Sequence, residues 1–126
     1  MKQEVKEKWI TALRSGDYVQ GFGTLKTIDN KHCCLGVLCD IYHKETGEGK
    51  WKNHDFNDGI FFNINSKSES VQLPTEVQKW ADIDGPTPYV IVNSFERPLS
   101  NVNDEGISNS IGASFEIIAD IIEKQL

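Results

Sequence analysis

Long apolar runs are missing from this 126-residue sequence. No stretch approaches the roughly 18 apolar residues that a membrane-spanning helix needs. The first residues, Met1–Glu7, are charged and polar, whereas a secretory signal peptide has an apolar centre. The sequence therefore predicts neither membrane insertion nor secretion, and we expect a cytoplasmic protein.

Cysteine is scarce, and its placement argues against a disulfide framework. The chain has only Cys33, Cys34 and Cys39, all within one short segment. Neighbouring thiols are badly placed to bridge distant parts of a chain. A reducing compartment is the simpler expectation.

Basic residues are also few, and they are unevenly distributed. The formal net charge of −6 argues against general nucleic-acid binding, which needs clustered Lys and Arg. Residues 1–68 contain ten Lys and Arg against nine Asp and Glu, while residues 69–126 contain three against ten. An anionic ligand would therefore be held by the first half, although these lysines could equally do no more than solvate the surface.

The hydrophobic pattern predicts a single globular domain over residues 1–126, with an α+β fold of about four helices packed on a small, mainly antiparallel sheet. Helical spacing is found over residues 2–15, 34–45, 73–81 and 114–125, with a further helical turn over 98–103. Alternation or β-branching predicts a hairpin over 23–33 and strands over 60–64 and 89–92. The expected core consists of Trp9, Leu13, Leu25, Leu35, Leu38, Ile41, Val77, Trp80, Phe115, Ile118 and Ile122.

Several segments together form a recognisable pattern: Trp-x3-Leu-Arg-Ser-Gly from Trp9, Cys-Cys-Leu-Gly-Val-Leu-Cys-Asp from Cys33, Asn-Asp-x-Gly from Asn103, and Phe-x-x-Ile-Ala-Asp-Ile-Ile-Glu from Phe115. In these segments the chain resembles a family of small phage and prophage proteins without an assigned function. The resemblance implies action in the cytoplasm of an infected host cell. It implies no catalytic residues.

One candidate chemistry is nucleophilic catalysis by Cys33 or Cys34. A thiol at a helix N-terminus is acidified by the unpaired N–H groups there. His54, which comes from a separate segment, is the best-placed base. This hypothesis gives a cysteine-dependent hydrolase or transferase, but such cysteines can also be inert packing residues.

A metal site is a weaker candidate. Cys39 and His43 are four residues apart on one predicted helix face, and His32, Cys33 and His54 would have to complete the ligand set. Structural zinc sites usually have four N or S ligands in paired spacings. We therefore expect no metal and no cofactor, with Cys39 in the core and His43 in water.

The third candidate is a ligand site around the glycine-rich segment. Backbone N–H groups there could approach an anion, with cationic side chains supplying charge and aromatic rings a stacking surface for a base. Glycines at such a turn could equally need only backbone freedom. The candidate ligand-binding residues are Arg14, Tyr18, Gln20, Gly21, Phe22, Gly23, Lys26 and Trp51.

The acidic second half offers a fourth possibility, a surface that mimics nucleic acid or docks on a basic host protein. Its carboxylates could also be simply solvated. They include Asp82, Asp84, Glu96, Asp104 and Glu105.

Because no complete catalytic set is present, we expect a non-enzymatic phage accessory binding protein. It would sequester a small anionic, nucleotide-like ligand or block a host protein, and host-defence evasion is one version of that role. It would not bind membranes, and it could form a homo-oligomer. The alternative is the cysteine-dependent enzyme.

Overall fold

A computed structural model describes residues 1–54, 59–106 and 112–126. These ranges contain helices α1 (Gln3–Arg14), α2 (Cys34–Thr46), α3 (Thr75–Ala81), α4 (Leu99–Glu105) and α5 (Phe115–Gln125). Their strands form an antiparallel sheet, β1 (Lys50–His54), β2 (Gly59–Ile64) and β3 (Lys67–Glu69), and an antiparallel hairpin, β4 (Tyr89–Val92) and β5 (Phe95–Pro98). The predicted α+β class is confirmed, with one more helix than expected and two separate sheets.

Helix α2 lies at the centre of the fold. Every residue from Cys34 to Tyr42 is buried, because its apolar side chains cover all sides of the helix and not one stripe. Cys33 caps its N-terminus, and Gly47 ends it in the left-handed conformation that glycine adopts without strain. The helix predicted over 34–45 is confirmed.

Helices α1 and α5 pack together beside α2. Trp9 of α1 is fully buried, and its indole N–H donates to the carbonyl of Cys34 at 2.9 Å. Ser114 caps α5 as predicted, since its Oγ accepts from the Ile117 amide at 3.3 Å. None of the helices in the described ranges is long and apolar enough to cross a membrane.

The two sheets are larger than the sequence pattern predicted. Strands β2 and β4 were expected, whereas β1, β3 and β5 were missed because they are short and mostly polar. Both β2–β3 and β4–β5 turn through an Asn-Ser pair with positive φ, at Asn65-Ser66 and Asn93-Ser94. Two such residues between strands are typical of a tight hairpin. The repeated Asn-Ser dipeptide was therefore a signal from which the two hairpins could have been predicted.

The hairpin predicted over residues 23–33 is formed in part. The chain turns at Asp29-Asn30, the Thr27 amide donates to the Lys31 carbonyl at 2.8 Å, and the Cys33 amide donates to the Leu25 carbonyl at 3.2 Å, but no continuous ladder forms. The Leu25 amide donates instead to the carbonyl of Ser70 at 2.7 Å. Residues 20–33 consequently run as an irregular segment, which we call the strap, across the N-terminus of α2.

The hydrophobic core draws on all five helices and on β2 and β4. Ten of the eleven expected core residues are buried, and Trp80 is partly buried, with its ring edge-on to Tyr42 at 5.3 Å. The core residues that the pattern missed include Phe62, Leu73 and Leu99. Phe62 was not singled out as a buried position because it ends the apolar run Ile60-Phe61-Phe62, in which the pattern does not separate the buried ring from the others.

Gly36 allows the strap to lie directly on α2. A Cβ atom there would be 1.8 Å from the carbonyl oxygen of Leu25, a backbone atom that cannot move independently. We expect Gly36→Ala to lower the free energy of unfolding by about 2 kcal/mol or more, as overpacking does. Urea denaturation followed by tryptophan fluorescence measures this change.

Gly47→Ala is the matched control for this substitution. Gly47 has φ 74° but no atom within 4 Å of an added Cβ, so only the backbone cost of about 1 kcal/mol applies. Equal losses in the two variants would show that close approach to Leu25 is not what requires Gly36.

Candidate ligand-binding site

A buried carboxylate, Asp40, lies in the middle of α2 and accepts hydrogen bonds from three side chains. Tyr18 donates its hydroxyl to Oδ2 of Asp40 at 2.5 Å, and the Trp51 indole donates to Oδ1 at 3.1 Å. Lys44, one helical turn further along, places Nζ 3.1 Å from Oδ2. Burial alone would raise the pKa of Asp40, but the hydrogen bonds from Tyr18, Trp51 and Lys44 outweigh it and hold the pKa below its usual value.

His32 packs beside this cluster without a hydrogen bond to its ring. The side chain is 4% exposed, and its imidazole lies edge-on to Tyr18 at 5.1 Å and to Trp51 at 5.7 Å. Neither ring nitrogen has a partner in the described part of the chain. Burial lowers the pKa of His32 to about 4, despite the nearby charge of Asp40, so at neutral pH the ring has one unused donor and one unused acceptor.

Two lysines lie against the aromatic rings of the cluster. Lys26 Nζ is 5.3 Å from the centroid of a Trp51 ring, and Lys44 Nζ is 5.3 Å from that of Tyr18. The charge of Lys44 is balanced by Asp40, whereas no described carboxylate forms an ion pair with Lys26. Lys26 therefore has a cationic group free to meet an anion.

All of these groups except Trp51 line a surface cleft of about 260 Å³. It has cationic, aromatic and neutral polar walls, together with the carboxylates of two aspartates, one of which is already fully hydrogen-bonded. We refer to it as the His32 cleft. Its lining residues are Asp17, Tyr18, Val19, Lys26, Asn30, His32, Asp40 and Lys44.

The glycine-rich segment has its amide groups committed inside the protein. Gly21 donates to the carbonyl of His32 at 2.7 Å, and Gly23 donates to Oδ1 of Asp104 at 3.0 Å. Asn103, fully buried, donates to the Gly21 carbonyl at 3.0 Å and accepts from Gln20 at 3.0 Å. These hydrogen bonds hold the strap in place. The backbone N–H groups of Gly21 and Gly23 are therefore not free to bind an anion.

The predicted ligand-binding residues thus fall into two groups. Tyr18, Lys26 and Trp51 come together around the His32 cleft. Gln20, Gly21, Phe22 and Gly23 lie along the strap, with the Phe22 ring exposed. Arg14 is elsewhere, because its guanidinium pairs with Asp120 at 2.6 Å and Glu123 at 2.7 Å on α5.

Sequence reasoning missed three members of the cluster. Asp40 and Lys44 gave a usable signal, since a carboxylate in the middle of a nearly all-apolar helix needs buried partners. His32 was considered only as a metal ligand. Its burial depends on Tyr18 and Trp51, which are distant in sequence, and no local pattern reveals it.

The three thiols pack in the core. Cys34 and Cys39 are fully buried, and Cys33 is 5% exposed, with its Sγ accepting from the Gly36 amide at 3.4 Å. Burial raises the pKa of Cys33 to about 11, against the opposing effect of the Gly36 amide, and raises those of Cys34 and Cys39 well above the ordinary value. The side chain of the predicted base, His54, lies outside the described part of the structure.

The proposed metal ligands are separated in the described part of the chain. Cys39 faces the core, whereas the Nδ1 of His43 is 3.1 Å from the carbonyl of Glu48 near the surface. No group of three or more His, Cys, Asp or Glu side chains in the described ranges is arranged to hold a metal ion.

Fold and cleft together define a small α+β domain with a polar, aromatic-walled recess beside its central helix. The chain belongs to the family described as a domain of unknown function (DUF8296), whose model matches residues 1–126. Membership of an uncharacterised family is therefore established, as the sequence pattern indicated. No curated protein and no solved structure matches the chain.

The environment of the thiols predicts low reactivity. At pH 7.5 we expect iodoacetamide to leave Cys33, Cys34 and Cys39 unmodified in the native protein, because only the exposed thiolate reacts readily. All three should be alkylated in guanidinium chloride, which mass spectrometry of the two samples measures. Rapid modification of a single native cysteine would restore the nucleophile hypothesis.

The buried imidazole predicts a pH dependence of stability. As pH falls below 6.5 the unfolded chain binds a proton at His32, whereas the folded protein does so only near pH 4. The stabilising contribution is therefore complete above pH 6.5 and is lost as pH falls towards 4. We expect His32→Phe, which keeps an aromatic ring, to lose less stability than the wild type between pH 7.5 and 5, by about 1–2 kcal/mol.

Urea denaturation of both proteins at the two pH values measures this difference. His43→Phe, on α2, is the control for removal of a different histidine. Parallel pH profiles for wild type and His32→Phe would mean that His32 titrates normally in the folded protein.

Proposed function

We propose that this protein binds a small anionic, nucleotide-like ligand in the His32 cleft. The observation that carries the proposal is the buried His32 imidazole, whose two nitrogens have no hydrogen-bond partner among the described residues although the residue lines a cleft. A buried polar group left unpaired costs about 1–3 kcal/mol. A ligand that reaches the ring, with the imidazole turning to present one nitrogen, would recover that cost.

The proposed anion contact in the cleft is Lys26. The formal charges of the lining balance, since Lys26 and Lys44 are matched by Asp17 and Asp40, but Lys26, held over Trp51, forms no ion pair with the described carboxylates. Asp40 attracts no further cation strongly, because its oxygens already accept from Tyr18, Trp51 and Lys44. Phosphate oxygens would meet Lys26 directly, while the Asn30 amide and neutral His32 would add hydrogen bonds.

Binding without chemistry suits this set of groups better than catalysis does. The thiols are buried with raised pKa values, and the pKa of Tyr18 is raised by burial and by its bond to Asp40, so no activated nucleophile faces the cleft among the described residues. A protein that binds and does not turn over its ligand acts by sequestration. In the phage setting that the sequence pattern implies, this would remove a nucleotide-like signal in the host cytoplasm and so evade host defence.

Isothermal titration calorimetry with pyrophosphate and ADP tests the proposal. We expect a dissociation constant below about 1 mM for at least one of them, a free energy of about 4 kcal/mol. Lys26→Glu should weaken that binding at least tenfold by replacing the unpaired cation with an anion.

Lys124→Glu is the matched control, since it makes the same change of net charge on the exposed end of α5. It should leave the dissociation constant within about twofold of the wild type. The absence of binding to both anions, or equal weakening by the two variants, would contradict an anion site in the His32 cleft.

A further inference from the structure

A second and larger recess adjoins the His32 cleft. It has a volume of about 540 Å³ and runs between α1 and α2. Asp17, Tyr18 and Lys44 line both recesses, and Nζ of Lys44 lies 3.2 Å from the Tyr18 hydroxyl oxygen between them. We call the larger recess the α1–α2 groove.

The walls and the rim of the groove differ in chemistry. Ala12, Ile41 and the Tyr18 ring give it an apolar surface. The rim includes Glu4, Glu7 and Glu45. Its two lysines are already paired, Lys8 with Glu45 at 3.1 Å and Lys44 with Asp40 at 3.1 Å, which leaves an excess of negative charge.

Because the two recesses differ in charge, they would accept different parts of one ligand. The groove repels anionic groups and accepts uncharged apolar ones, while the cleft beside it has the unpaired Lys26. The cleft alone, at about 260 Å³, is below the roughly 300–1,000 Å³ of small-molecule sites, whereas cleft and groove together fall within that range.

We infer that the α1–α2 groove holds the nucleoside of a nucleotide whose phosphates lie in the His32 cleft. This inference rests on the proposed function and adds to it a second subsite for an uncharged planar group. Tyr18 would contact both parts, with its ring against the nucleoside and its hydroxyl oxygen on the phosphate side.

Pyrophosphate and ADP separate the two subsites, because ADP is the diphosphate with an adenosine attached. Wild-type protein should bind ADP at least tenfold more tightly than pyrophosphate. Thr11→Trp, at an exposed position on the groove wall, should fill the groove and remove this advantage while leaving pyrophosphate affinity within about twofold. Ala12→Trp should act in the same way, and thermal unfolding checks that both variants are folded.

Gln3→Trp places the same ring on an exposed α1 position outside the groove and should change neither affinity. If pyrophosphate binds but ADP is no tighter, or if Thr11→Trp weakens both ligands equally, the groove is not a nucleoside subsite while the cleft remains an anion site. If the wild type binds neither, the cleft and the groove are both overturned.

Discussion

The complete burial of α2 is the constraint on which the rest of the structure depends. A helix that is apolar on nearly every side must be covered on every side, and α1, α3, α4 and the strap over residues 20–33 supply that cover. Asp40 is the one charged residue in the buried part of α2. Burial of its carboxylate would be strongly unfavourable without hydrogen-bond donors. Tyr18, Trp51 and Lys44 converge on Asp40 for that reason, and the cleft forms where they meet.

Two residues hold the strap against α2: Gly36, which permits close approach of the backbone, and Asn103, which hydrogen-bonds to both segments. Gly36 lets the Leu25 backbone touch the helix, and Asn103 joins the strap, the Cys34 amide and Gln20 with a single buried side chain. Asp104, the next residue of the Asn-Asp-x-Gly pattern, also accepts a hydrogen bond from the Gly23 amide, so this pattern holds the strap in position. His32 is held with it, because its amide donates to the Val19 carbonyl and its carbonyl accepts from the Gly21 amide.

Local periodicity was enough to predict the helices, because α1, α2 and α5 have apolar positions at regular spacing and recognisable caps. The ligand site expected around the glycine-rich segment included Tyr18, Lys26 and Trp51, and the structure brings these three side chains close to His32. Local periodicity could not predict the strap, where the partner of Leu25 is Ser70, nor the position of Arg14, which is set by Asp120 and Glu123 on the last helix. In each case the deciding contact joins residues more than forty positions apart.

The chain passes directly from the His32 cleft to the buried thiols at the start of α2. Burial of Cys33 and Cys34 favours the neutral thiol, while the His32 ring lies against the rings of Tyr18 and Trp51. A neutral imidazole both donates and accepts, whereas a protonated one only donates. Because burial keeps His32 uncharged at neutral pH, its ring can donate one hydrogen bond and accept another, and in the proposed site the attraction of an anion would fall to Lys26.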